Sequence, residues 1–173
     1  MTNTTDKPSS GYRSANLYDK DFVAWADQQA LLLEQKRWQE LDLLNLIEEV
    51  RDLGNRHRDA LESQLTRLLM HLLKWHYQPG KRSSSWLLTI KDARRQIPKL
   101  IRKHPVLAVH AKKVFLECYL EAREVAADET ELPIDTFPLE CLYTLEQVVE
   151  RDFLPQTDDD NSTTITQATE GRL

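Results

Sequence analysis

Glycine and cysteine are scarce in this chain, with four of the first and two of the second in 173 residues. The shortage of glycine, together with abundant Leu, Ala, Glu, Gln, Lys and Arg, favours helices over strands, because straight-chain residues lose little rotamer freedom in a helix. Cys118 and Cys141 are too few and too far apart for a disulfide framework or a thiolate metal cluster. They are read as small apolar side chains. No run approaches the roughly 18 apolar residues that cross a bilayer, and the polar start from Met1 to Ser10 has no hydrophobic targeting segment behind it. A soluble cytoplasmic chain without a membrane partner is expected. His-Glu-x-x-His, Glu-x-x-His, clustered cysteines and a phosphate-binding glycine loop are missing too, so no metal or cofactor is expected.

What is present is a sustained apolar pattern from Leu17 to Pro155. This segment is read as one all-α domain, a bundle of about four main helices with a short C-terminal helix. Residues 1–16 are polar and expected to be flexible; residues 156–173, rich in Thr and Asp, cannot repay the entropy of ordering and are expected to be disordered. The first helix is expected from near Asp19 to about Arg37, with Phe22, Trp25, Ala26, Gln29, Leu32 and Leu33 on its buried side. A longer series follows at three- and four-residue spacings. It runs through Leu43, Leu46, Val50, Leu53, His57 and Leu61, then Leu65, Leu68, Leu72 and Trp75, and predicts a long central helix that can bend at Gly54.

Gln78-Pro79-Gly80 ends that helix, and Ser83 to Ser85 supply a cap for the next, in which Pro98 can bend or break the ladder. Pro105 suits the start of a further helix with Leu107, Ala111, Val114, Cys118, Ala122 and Val125 inward. Leu132 to Leu142, with Pro133 and Pro138, reads as a loop sealing one end. Thr144 and Gln147 form a capping box for a last helix through Arg151.

The net charge of −5 conceals three blocks. Residues 17–50 carry 3 Lys/Arg against 8 Asp/Glu, residues 51–113 carry 15 against 4, and residues 114–155 carry 2 against 11. Lys91, Arg94, Arg95, Lys99, Arg102 and Lys103 are therefore a candidate basic face for the phosphates of nucleic acid. The same asymmetry equally suits acidic and basic helices that attract one another within a bundle, or a protein-partner surface.

A second candidate is a polar and aromatic cluster at the junction of the long helix and the next, made of His71, Trp75, Gln78, Arg82, Ser85 and Trp86. Arg82 and a helix-start amide there suit an anion, with the tryptophans restricting solvent. The same side chains equally suit a structural lock of the hairpin. His57 suits an acid/base group, a metal ligand or a hydrogen-bonded structural residue. Arg51 and His57 have the spacing of the Arg/His element in helical ribonucleases of the HEPN type, although six helical steps turn the two about 120° apart. Glu48 and Asp52, with Glu49 between them, share a face that two further ligands would turn into a metal site.

Several segments resemble the DUF29 family of small bacterial, especially cyanobacterial, proteins. They are Leu17 to Trp25, Asp42 to Gly54 and Leu69 to Pro79, followed by Ser85-Trp86, Arg94, Leu132-Pro133, Phe137-Pro138 and Phe153-Leu154-Pro155. The resemblance implies a helical fold and carries no catalytic role onto any residue. His57 lies outside the matching signature. The leading reading is a protein-interaction or regulatory module, with a protein partner or a second copy; an apolar stripe left exposed after packing would favour it. Nucleic-acid binding through residues 91–103 and a ribonuclease-like or phosphate-ester-acting enzyme are the alternatives.

Overall fold

The computed structural model describes residues 17–156. The expectations for residues 1–16 and for the tail beyond Gln156 lie outside the described residues. The fold is all-α. Its helices are α1 (Phe22–Glu34), α2 (Leu43–Tyr77), α3 (Ser84–Lys103), α4 (Leu107–Thr130) and α5 (Leu145–Val149). Single 3-10 turns at Trp38–Glu40, Pro79–Lys81 and Ile134–Thr136 punctuate the connections. Among the described residues no helix is long and apolar enough to cross a membrane. The chain divides into two compact units that part between Arg56 and His57.

In the first unit a helical turn at residues 17–20 precedes α1. The carboxylate of Asp21 then caps α1 by accepting the Ala24 amide at 3.0 Å. The helix starts later and stops earlier than its apolar spacing suggests, ending before Lys36 turns to a positive φ of 58°. Its buried side is narrower as well. Trp25, Gln29 and Leu32 are enclosed, whereas Phe22 and Leu33 stay exposed. Buried polar atoms tie α1 to the start of α2. The Gln29 side-chain carbonyl accepts the Asp42 amide at 2.8 Å, and the Trp25 indole donates to the Asp42 carboxylate at 3.2 Å.

Helix α2 continues through Gly54 without interruption. In the second unit its later turns carry Leu61, Leu65, Leu68, Leu69, Leu72 and Leu73, all fully buried, against Ile90, Ala93 and Ile97 of α3 and Ala111, Cys118, Tyr119 and Ala122 of α4. The inward series expected for α4 is present, with Val125 half-buried. Pro98 does not break α3, whose neighbouring turns are held by buried Ile97 and half-buried Ile101. Burial pushes the Cys118 thiol up to about 11, so it stays neutral and packs as an apolar group.

The segment after α4 seals the core with Phe137, fully buried, while Tyr119 donates its hydroxyl to the Pro138 carbonyl at 2.7 Å and Arg123 donates to the Phe137 carbonyl at 2.7 Å. Thr144 and Gln147 form the expected capping box, and α5 ends at Val149. Its open carbonyl end meets Arg94. That guanidinium, only 8% exposed, donates to the carbonyls of Val148 at 2.8 Å, Arg151 at 3.2 Å and Phe153 at 2.6 Å. One side chain of α3 thus satisfies the orphaned acceptors of the last helix and anchors the chain behind it.

Replacing Arg94 by Met should strand these three acceptors and cost about 3 kcal/mol of unfolding free energy in urea titrations. Arg94→Lys should recover less than half of the loss, since one ammonium cannot match a planar fork. A loss under about 1 kcal/mol would show that water replaces the guanidinium freely.

Candidate functional site

The junction of α2 and α3 brings together the residues expected there, and each polar one has a structural partner. His71 donates from Nδ1 to the Arg67 carbonyl one turn back, at 3.0 Å, which fixes its tautomer when neutral. Gln78 donates to the Thr130 carbonyl at 3.1 Å, tying the end of α2 to the end of α4. Arg82 donates from Nε to the Trp75 carbonyl at 3.0 Å and lays its guanidinium over the Trp75 ring, 5.1 Å from the centroid. It thereby covers the carbonyl end of α2, where a cation also suits the helix dipole. Ser85 is exposed and shares a 2.9 Å hydroxyl contact with Ser83. The α3 cap is Ser83, which accepts the Trp86 amide at 3.3 Å.

Lys74, a residue the spacing did not single out, sits at the centre of this junction. It is buried, pairs with Glu129 of α4 and lies 4.6 Å from the Trp86 ring centroid. A buried ammonium needs a counter-charge, to which an electron-rich ring face adds, and here the two are supplied by different helices. The one available hint was the place of Lys74 inside the segment that also carries His71 and Trp75. These contacts tie α2, α3 and α4 together at the junction.

The basic series on α3 divides. Lys91, Arg95, Lys99 and Arg102 are exposed and, at 100° per residue, fall within about 80° of one another. Lys103 is exposed but turned further round. Arg94 is not on that surface; it is buried on the carbonyls described above. Arg95 is partly neutralised by Asp92 at 2.6 Å, which also binds Arg67 of α2 at 2.9 Å.

His57 and His104 form a contact that the apolar spacing does not reveal, their rings stacked with centroids 4.0 Å apart. Desolvation, then the neighbouring His57 and Lys103, lower the His104 value below the usual histidine range. Arg51 lies on the same uninterrupted helix as His57 and is exposed. Glu49, for its part, accepts the Tyr18 hydroxyl at 2.6 Å. That bond, followed by desolvation and the charge of Glu49, raises the Tyr18 phenol to about 12. Asp52 accepts the Asn55 amide at 3.3 Å. Among the described residues no three His, Cys, Asp or Glu side chains are grouped so as to hold a metal ion.

Comparison with known families matches residues 17–154 to the domain of unknown function DUF29, and the chain belongs to that family. No curated protein matches, and no solved structure does.

Burial, ahead of the charge of Lys74, lowers the His71 value, against the opposing effect of its bond to the Arg67 carbonyl. A base whose native value is depressed contributes stability that is complete above its unfolded value, about 6.5, and is lost as pH falls through the native value. His104 acts in the same direction. Urea unfolding followed from pH 7 downward should therefore show a loss of stability below about 6.5, and a shallower loss in a His71→Gln, His104→Asn variant. Equal slopes in the two proteins would refute this account.

Proposed function

We propose that this DUF29 protein is a small interaction module that self-associates through the first half of α2. One observation carries the reading. Leu43, Leu44, Ile47, Val50 and Leu53 are between 46% and 84% exposed, although they continue the apolar series that is buried further along the same helix. At 100° per residue Leu43, Ile47 and Val50 lie within about 60° of one another, with Leu44 and Leu53 on either flank. Asp42 and Glu49, which bind Trp25 and Tyr18, point more than about 100° away from the centre of this face. The contacts within the unit thus use one side of the helix and leave the apolar side uncovered.

Leu43, Leu46, Val50 and Leu53 follow one another at spacings of three, four and three, the seam that helices use to pair. A second copy supplies the same seam by two-fold symmetry, so a single exposed face suffices for a closed pair. Exposed large apolar side chains in such numbers on one short helical stretch are characteristic of an interface. The reading includes a cytoplasmic location and a bacterial, chiefly cyanobacterial, source, the latter resting on the family resemblance.

Sedimentation of the full chain over a concentration series should reveal a dimer. Ile47→Asp with Val50→Asp should weaken it at least about 100-fold, because each carboxylate would have to be desolvated against the apolar face of the second copy. Helix content by circular dichroism should be unchanged, since both positions are exposed. A wild-type chain that stays monomeric, or a variant that associates as strongly, overturns the proposal.

A further inference from the structure

The surface beside Arg94 holds a second feature, independent of the α2 face. A cavity of about 600 Å³ opens between α3 and the segment after α5, with Lys91, Arg94, Arg95 and Arg151 around it and Asp152 as its one acidic residue. Next to it lies an apolar groove of about 370 Å³ formed by Ile97, Ile101, Ala108 and Leu145. Pro98 and Val149 line both, so the two spaces are neighbours on either side of these side chains. Each falls within the size range of small-molecule sites.

The two lobes differ in chemistry. In the first, Arg94 is a buried cation whose three observed hydrogen bonds all run to neutral carbonyls, leaving its charge without a bonded carboxylate. Arg95 shares Asp92 with Arg67, while neither Lys91 nor Arg151 forms an ion pair with a described residue. Cationic side chains therefore outnumber the single carboxylate in a concave, partly desolvated space, where an anion is attracted more strongly than on an open face. In the second lobe the walls are largely aliphatic, bordered by Arg102, Lys112 and Glu146, the last two 3.8 Å apart. A polyanion would satisfy the first lobe and gain nothing from the second; a neutral apolar molecule would do the reverse.

We propose that the neighbouring lobes bind a single-chain anionic amphiphile, its carboxylate or phosphate head between Lys91 and Arg151 and its aliphatic chain across Pro98 and Val149 against Ile101 and Leu145. The head is held by charge and by the donors of the cationic rim, and the chain by removal of its methylenes from water. The site requires both parts in one molecule. That requirement distinguishes it from a nucleic-acid surface built on the outward stripe of α3.

Isothermal titration calorimetry of the full chain with decyl phosphate, kept below its micelle threshold, tests the assignment. Decyl phosphate should bind at one site per chain, with inorganic phosphate and decanol each at least about tenfold weaker. Lys91→Gln with Arg151→Gln should weaken binding by about tenfold or more, and so, separately, should Ala108→Trp, which fills the apolar lobe. Urea unfolding of each variant shows whether the fold is retained; the two surface substitutions replace exposed side chains and should leave it unchanged. Decyl phosphate that fails to bind, or that binds both variants as well as wild type, overturns the proposal, the second result assigning it to apolar surface elsewhere. A single-stranded oligonucleotide that binds more tightly than decyl phosphate and loses affinity on neutralising Lys99 and Lys103, which line neither lobe, also overturns it, in favour of a nucleic-acid face.

Discussion

An apolar stripe on a helix gains free energy only where another surface covers it. This constraint governs the structure. Over the later turns of α2 the stripe is met by α3 and α4, and leucines at three- and four-residue intervals become the fully buried centre of the second unit. Over the earlier turns the first unit offers α1, whose enclosed residues are few and partly polar. Gln29 accepts the Asp42 amide, and the Asp42 carboxylate accepts from Trp25 and Asn45, which orients the start of α2 but does not cover its apolar side. The same sequence pattern therefore has two outcomes on one helix, set by what lies opposite.

Buried cations play the complementary part, fixing connections that apolar packing leaves free. Lys74 meets Glu129 and the face of Trp86, so it specifies how three helices come together. Arg94 meets three carbonyls beyond α4 in sequence, and a five-residue helix too short to be stable alone is thereby held in place. Each cation would be costly if its partners were absent, and that cost disfavours alternative packings of the same leucines. The family-matching positions Arg94 and Phe153 are the two ends of one such bond, and Trp86 lies across the ammonium of Lys74. Their part in the segment resemblance has a structural account before any functional one.

Most of the architecture was legible because it depends on local periodicity and punctuation. The Gln78-Pro79-Gly80 stop, the Ser83 cap and the Thr144–Gln147 box are short-range signals that act wherever the sequence places them. Gly54 and Pro98 each weaken an isolated helix, but neither interrupts its helix here, because flanking turns with good formers or buried isoleucines outweigh one poor residue. What could not be read was which side of a periodic pattern meets a neighbour. Phe22 and Val50 look as apolar as Leu65, and only the positions of other helices decide that the first two face solvent. The burial of Arg94 was hidden for a similar reason, since its three acceptors lie more than fifty residues away in the chain.

These contrasts also decide where function should be sought. At the α2–α3 junction, the bonds of His71, Gln78 and Arg82 are to main-chain carbonyls of the protein's own helices. These bonds hold helix ends together, and the depressed value of the half-buried His71 follows mainly from burial in the junction itself. The exposed apolar turns of α2 and the cationic cavity beside Arg94 are different in kind. Both retain unmet interaction capacity, apolar area in one and positive charge in the other, after the folds of their own units are complete. Helix ends that have lost their orphan groups contribute to stability; surfaces that keep theirs are the ones that can still gain free energy by binding.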